Sequence, residues 1–222
     1  MFLSVSHHER DVYKAAADQF CKFHQSKENK LYVMPGGKTP IPFFKHIADN
    51  QLDWSNTSIL LSDERMVPLS DMKSNYGMVK THFIDQLNCN FLPFIVQYND
   101  QLEKIDNYLS GMGFPNISVL GFGQDGHTAS IFPNKVELLH SNKNIIKVNN
   151  SWEPFSRVSL TLKYILKSET IMFLLKGKEK ALALKKCLTG NFDPVQYPVQ
   201  YIIKNFKRKI YIHCDKAAAS SL

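Results

Sequence analysis

The sequence predicts an α/β protein with three layers, α/β/α, built on a mainly parallel, Rossmann-like sheet. Three observations lead there. Short aliphatic runs alternate along the chain with segments whose apolar residues recur at helical spacing. Three of those runs stop in loops rich in glycine or charge, at 36–39, 63–65 and 121–127, as strands do at the ligand-binding edge of an open sheet. No linker, internal repeat or low-complexity segment breaks the alternation, so residues 1–222 are expected to form one domain.

From the N-terminus, Asp11 to His24 sets Val12, Ala15, Ala16, Phe20 and Phe23 at helical spacing. Leu31-Tyr-Val-Met34 reads as a strand ending at Pro35-Gly-Gly-Lys-Thr-Pro40, and a helix resumes over Ile41 to Ile47. Thr57-Ser-Ile-Leu-Leu-Ser62 is a second strand, followed by Asp63-Glu-Arg-Met-Val-Pro68. Ser74 to Leu87 is expected to be a helix capped by Ser74 or Asn75. Phe94-Ile-Val-Gln-Tyr98 is the next expected strand and Asp100 to Leu109 the next helix. The apolar run Ile117 to Leu120 then opens into Gly-Phe-Gly-Gln-Asp-Gly-His127.

In the second half, Asn144 to Val148 and Arg157 to Leu162 have strand character, with a short helix over Tyr164 to Lys167. Thr170 to Leu175 is strongly strand-like and stops before Gly177. Glu179 to Leu188 is a run of good helix formers closed by Gly190. Ile210-Tyr-Ile-His213 is a final strand, and Lys216 to Leu222 is expected to close the chain as a helix.

Composition narrows the classes. Cys21, Cys89, Cys187 and Cys214 are far apart and form no Cys-x-x-Cys pair, which argues against a disulfide framework or a zinc knuckle and for a reducing compartment. The N-terminal apolar stretch is too short for a signal peptide, and no run approaches the ~20 residues of a spanning helix. A cytoplasmic protein without a membrane partner is expected. The net charge of +7 favours anionic partners, but the lysines are scattered. The one dense basic run, Lys207-Arg-Lys209, leads into an apolar strand, so no nucleic-acid partner is predicted. Nothing in the sequence decides between a monomer and a homodimer.

The three loops carry the candidate chemistry. Gly36 and Gly37 offer backbone N–H groups ahead of a helix N-terminus, a combination that binds phosphate and that also occurs as an ordinary turn. The Walker spacing is absent. Asp63 and Arg65, two apart, would point the same way from an extended segment, or form a surface ion pair of little consequence. Gly121, Gly123 and Gly126 allow tight turns and close approach to a ligand, with Asp125 and His127 among them. Lys178 and Lys180 open a helix, where cations oppose the macrodipole unless an anion is bound.

Taken together, these segments resemble the 6-phosphogluconolactonase family within the glucosamine-6-phosphate isomerase/deaminase superfamily. The resemblance spans nearly the whole chain. It rests on Gly36-Gly-Lys-Thr-Pro40, Ser62-Asp-Glu-Arg-Met-Val-Pro68, Ser74-Asn-Tyr-Gly-Met78, Leu120-Gly-Phe-Gly-Gln-Asp-Gly-His-Thr-Ala-Ser-Ile-Phe-Pro133, Arg157-Val-Ser-Leu-Thr-Leu162 and Gly177-Lys-Glu-Lys-Ala181. It implies hydrolysis of 6-phospho-D-glucono-1,5-lactone, a phosphorylated sugar lactone, to 6-phosphogluconate in the oxidative pentose phosphate pathway. Neither a metal nor an organic cofactor is implied.

By the same resemblance His127 is the general base that activates water. Backbone N–H groups of a glycine loop or Arg65 would stabilise the oxyanion, and Asp63 would orient either sugar hydroxyls or His127. The phosphate would lie against Gly36, Gly37 and Thr39, with Lys180 and Arg157 as cationic partners; Gly123, Asp125 and Gly126 would border the sugar. Two positions depart from the family pattern. Lys38 stands where small or hydroxyl residues are common, and Pro35 where many relatives have Ser, which removes a backbone donor. Two rival functions share the fold. A glucosamine-6-phosphate deaminase continues past the histidine into Phe-Asn-Glu-Pro, whereas this chain has Ser130-Ile-Phe-Pro-Asn134 and no glutamate there. A sugar-phosphate-sensing module would need an attached DNA-binding domain and could dispense with His127.

Overall fold

The computed structural model describes residues 1–26, 28–94, 99–149 and 154–222. Its strands are β1 (Phe2–Ser6), β2 (Lys30–Met34), β3 (Thr57–Leu61), β4 (Asp63–Arg65), β5 (Asn90–Leu92), β6 (Ile117–Gly121), β7 (Ile145–Val148), β8 (Arg157–Leu160), β9 (Thr170–Leu175) and β10 (Lys209–Asp215). The helices are α1 (Glu9–Gln25), α2 (Ile41–Ala48), α3 (Asn75–His82), α4 (Asn99–Gly111), α5 (Val136–Leu139), α6 (Leu162–Ile165), α7 (Ala181–Thr189) and α8 (Pro198–Asn205).

The main sheet is parallel throughout and runs in the order β1-β10-β9-β6-β2-β3-β5. Leu31 to Met34, Ile117 to Leu120 and every residue of β9 are buried. A strand with no exposed alternate face is covered on both sides, which is why these segments read as continuous apolar runs and why helices must form both outer layers. From β2 the chain steps outward through β3 to β5. It then returns to β6 on the other side of β2 and continues outward through β9 and β10. The order therefore reverses between β2 and β6, the topological switch point at which open α/β sheets bind ligands. The loops that leave β2 and β6 are 35–40 and 122–127.

Helix α1 buries Val12, Tyr13, Ala16, Ala17, Phe20, Cys21 and His24, a stripe at three- and four-residue spacing. Phe20 meets Tyr32 edge-on with ring centroids 4.9 Å apart. Beneath it Phe44 stacks on Phe83 at 5.0 Å. Ser74 caps α3, accepting the Gly77 N–H at 3.1 Å.

Several expected elements differ. The strand expected over Phe94 to Tyr98 lies largely outside the described residues; the observed edge strand is β5, ended by Pro93, which has no N–H for the ladder. Helix α3 stops at His82 because Phe83 leaves helical geometry to bury its ring, and a 3-10 turn follows over Ile84–Gln86. The expected closing helix is a series of turns: the bonds Ala219 N–H to Asp215, Ser220 N–H to Ala217 and Leu222 N–H to Ala219 mix spacings, and the segment is too short to propagate. Gly190 ends α7 in extended geometry (φ −77°, ψ 169°), not left-handed. A Cβ there would lie 2.6 Å from the Lys186 carbonyl, so close approach is what requires glycine. Strand β1 and helix α8 were not foreseen; α8 begins with Pro198 at its first position, where a missing N–H costs nothing. Nor was a second sheet. β4, β8 and β7 form an antiparallel one, set off from β3 by the single residue Ser62.

His213, in β10, is buried, and neither ring nitrogen has a hydrogen-bond partner among the described residues. Burial pushes its pKa down to about 4. Below pH ~6.5 the unfolded chain takes up a proton that the folded chain refuses, so this contribution is complete above pH 6.5 and declines as pH falls towards 4. Urea unfolding should show stability falling between pH 7 and 4, with His213 accounting for about 3 kcal/mol of the loss. His213→Leu should remove that share of the slope; an unchanged pH dependence would overturn the assignment.

Candidate active site

A cleft at the switch point is lined by residues from five strand ends. Gly36, Gly37 and Thr39 come from the loop after β2, Asp63 and Arg65 from β4, Gly123 and His127 from the loop after β6, Arg157 from β8, and Lys180 from the turn after β9. Nine of the expected residues thus meet in one place, through the parallel sheet and the small antiparallel sheet standing on its C-terminal edge. Lys38 is exposed in an adjoining groove with Lys73 and Lys80, Asp125 lies behind His127, and Gly126 does not line the cleft.

The histidine loop is closely determined. Gly123 N–H donates to the His127 carbonyl at 2.8 Å, and Gly126 N–H to the Gly123 carbonyl at 3.0 Å. Gly126 has φ +81°, and a Cβ on it would lie 2.9 Å from the Tyr197 ring. Asp125 Oδ1 meets His127 Nδ1 at 2.5 Å and also accepts the His127 backbone N–H at 3.2 Å. Burial raises the Asp125 carboxyl pKa, but the hydrogen bonds and charge of His127 outweigh it and leave the pKa below its ordinary value. An ionised Asp125 places the proton on Nδ1. Among the described residues Nε2 has no hydrogen-bond partner. Asp125, not Asp63, therefore orients His127.

Asp63 is buried and does other work. Its carboxylate accepts Ser130 Oγ at 2.6 Å, Ser62 Oγ at 3.0 Å and Arg157 Nη1 at 3.3 Å. The ion pair that Asp63 makes is with Arg157, across the antiparallel pairing of β4 and β8, and not with Arg65, the surface pair that was the alternative to their pointing the same way. Arg157 also lies over the Phe132 ring at 5.5 Å, and the His127 ring meets Phe132 at 5.0 Å. Arg65 stands directly opposite Arg157 in the register. Like charges facing across strands are unfavourable without an anion between them. Arg65 Nη1 donates to the Lys73 carbonyl at 2.7 Å, while its Nε is buried without a partner among the described residues.

Glu64 and Asn75, the latter expected only as a possible helix cap, stand behind the site. The buried Glu64 carboxylate accepts the backbone N–H groups of Asn75 at 2.8 Å and Tyr76 at 2.6 Å, fastening β4 to the N-terminus of α3. Burial raises its pKa, which those hydrogen bonds only partly offset. Asn75 Nδ2 donates to the Asp63 carbonyl at 2.8 Å, and its amide lies where a Cβ on Gly36 would be, 2.0 Å from Cγ. The signal was present as Ser74-Asn-Tyr, but only the fold shows what it fastens. Among the described residues the N–H groups of Gly36, Gly37 and Thr39 donate to no protein acceptor. A loop with three open donors, three nearby cations and a helix start is suited to an anion. No group of three or more His, Cys, Asp or Glu placed to hold a metal occurs among the described residues. There, too, no helix is long and apolar enough to cross a membrane.

The family model for glucosamine-6-phosphate isomerases/6-phosphogluconolactonase matches residues 7–212. The chain belongs to this family. It is 32% identical over 219 residues to a 6-phosphogluconolactonase of Haemophilus influenzae, covering 93% of both. It is 30% identical over 186 residues to one of Pseudomonas putida, covering 79% of this chain and 76% of that one. The fold is that of solved family members. The 6-phosphogluconolactonase of Shewanella baltica superposes with a TM-score of 0.89 at 23% identity over 97% of both chains. A monomeric glucosamine-6-phosphate deaminase gives 0.85 at 18% identity over the whole of both.

A Cβ on Gly123 would lie 2.1 Å from His127 Nδ1 and 2.6 Å from Asp125 Oδ1. Gly123→Ala should therefore separate this pair. The downfield Nδ1–H proton resonance expected of the wild type should vanish in the variant; a resonance unmoved would mean that the loop absorbs the methyl elsewhere.

Proposed function

We propose that the protein hydrolyses 6-phospho-D-glucono-1,5-lactone to 6-phosphogluconate, with His127 as general base. The observation that carries this is the His127–Asp125 pair, which leaves Nε2 without a protein partner in a residue lining an anion-suited cleft. Nε2 takes a proton from water as the oxygen attacks C1 of the lactone. The imidazolium so formed is stabilised by the Asp125 carboxylate at Nδ1. Negative charge moves to the carbonyl oxygen, where Arg65 can receive it, since the Gly123 and Gly126 N–H groups are already donated within the histidine loop. Collapse of the tetrahedral intermediate breaks the bond from C1 to the ring oxygen, and His127 returns its proton to that oxygen. One water is consumed and the ring opens.

The phosphate lies against Gly36, Gly37 and Thr39, with Lys180 and Arg157 supplying positive charge. Asp63 is taken up by Ser62, Ser130 and Arg157, which suits it to fixing the arginine and not to proton transfer. The segment beyond the histidine supports the lactonase over the deaminase, since Ser130 there is engaged with Asp63 and no glutamate occurs between Ser130 and Asn134.

Two measurements test this. The lactone, generated in situ with glucose-6-phosphate dehydrogenase, should be hydrolysed faster than it opens spontaneously, while glucosamine 6-phosphate should release no ammonia. Ammonia release without lactone hydrolysis would reverse the assignment. His127→Ala should lower kcat about 10²–10⁴-fold and still bind 6-phosphogluconate. Lys180→Ala should raise KM roughly tenfold with kcat nearly unchanged, the effect of losing a charge-assisted contact present in both ground and transition states.

A further inference from the structure

We propose that Asp215, at the C-terminal end of β10, is a positioning residue for the phosphate-side lysine, Lys180. The proposal rests on the lactonase reading only for the identity of the anion.

Lys180 does not project from a strand or from the body of a helix. It ends the 3-10 turn Lys178–Lys180, which Gly177 introduces with φ +92° and ψ 147°. That turn is closed by the Lys180 N–H donating to the Gly177 carbonyl at 3.1 Å. The direction of Lys180 is therefore set by the orientation of the Gly177 peptide. A φ of this sign is open to glycine at little cost, and glycine is also the residue least able to hold one conformation unaided.

Asp215 supplies the restraint. Its Oδ1 and Oδ2 lie 3.1 and 3.2 Å from the Gly177 N–H, and Oδ1 accepts the Ala218 N–H at 2.7 Å. β10 neighbours β9 in register as far as Cys214↔Leu175, so Asp215 is the first residue beyond the ladder and meets the chain where β9 lets it go. On the preceding residue, Lys176 Nζ pairs with Glu9 Oε1 at 2.6 Å, which ties the same segment to α1. Asp215 does not line the cleft, and its carboxylate does not reach the substrate space. It acts through a backbone N–H on a lysine three residues further on.

The test is a double-mutant cycle read by 6-phosphogluconate binding in calorimetry and, separately, by steady-state lactone hydrolysis. Asp215→Ala should weaken 6-phosphogluconate binding and raise KM about three- to tenfold while kcat changes less than twofold. Introduced into Lys180→Ala, the same substitution should add almost nothing, because both remove one contact. Asp215→Asn keeps an acceptor for Gly177 and should recover most of the affinity; if the alanine variant does not fold, Asp215→Ser, which removes both carboxylate oxygens and keeps a small polar group, takes its place in the cycle. Full additivity with Lys180→Ala, or a fall in kcat as large as the rise in KM, would overturn the proposal. If 6-phosphogluconate binds and the cycle closes as described but no lactone is hydrolysed, the reaction assignment fails and the role of Asp215 stands. If the wild type binds no 6-phosphogluconate, both fall.

Discussion

The buried Asp63 carboxylate is the contact on which the rest of the site depends. Three donors converge on it from separate segments: Ser62 at the end of β3, Ser130 just past the histidine loop, and Arg157 on β8. A buried carboxylate with fewer partners would be costly, and one with all three locks their segments to each other. The antiparallel sheet is thereby joined to the histidine loop, and Arg157 is held between Asp63 and the Phe132 ring. Removing the carboxylate would take from Arg157 its ion pair with Asp63 and release Ser130, disturbing both halves of the cleft.

The turn beside it stores strain. Ala129, a cleft residue without glycine's freedom, sits at φ 49°. It is kept there by the Thr128 Oγ1 bond to the Gly121 carbonyl at 2.8 Å, the Ser130 N–H bond to Ser159 Oγ at 3.1 Å, and the Ser130–Asp63 bond. The site thus sits on fixed backbone, in keeping with chemistry that needs a histidine and several donors in one arrangement.

Much of this was legible in the sequence. The central strands were plain because burial on both faces writes itself as unbroken aliphatic runs, as in Thr170 to Leu175. His127, the glycine pair and Lys180 stood out because glycine, charge and strand ends coincide there. What escaped was long-range and geometric. Asp125 and Asp63 are both acids beside candidate chemistry, and only the antiparallel pairing of β4 with β8 sends one to an arginine while the other backs the histidine. Glu64 carries no distinguishing signal within Asp-Glu-Arg, yet it holds the start of a helix eleven residues on. The edge strands β1 and β5 are half-exposed and short, so their pattern is weak, and their existence depends on partners far along the chain.

The strand order also governs how the molecule is assembled. β10 lies between β9 and β1, and among the described residues β1 pairs with the main sheet through β10 alone. During synthesis β1 is made long before β10, its partner among the described strands, so their pairing is a closure of very high sequence separation. Up to that moment the nascent chain carries Phe2, Leu3 and Val5 as an unpartnered apolar edge. Asp215 enters with the same strand. The folding intermediate should already hold the β2–β6 crevice and its histidine, and the Gly177 turn should settle only when β10 slides into place.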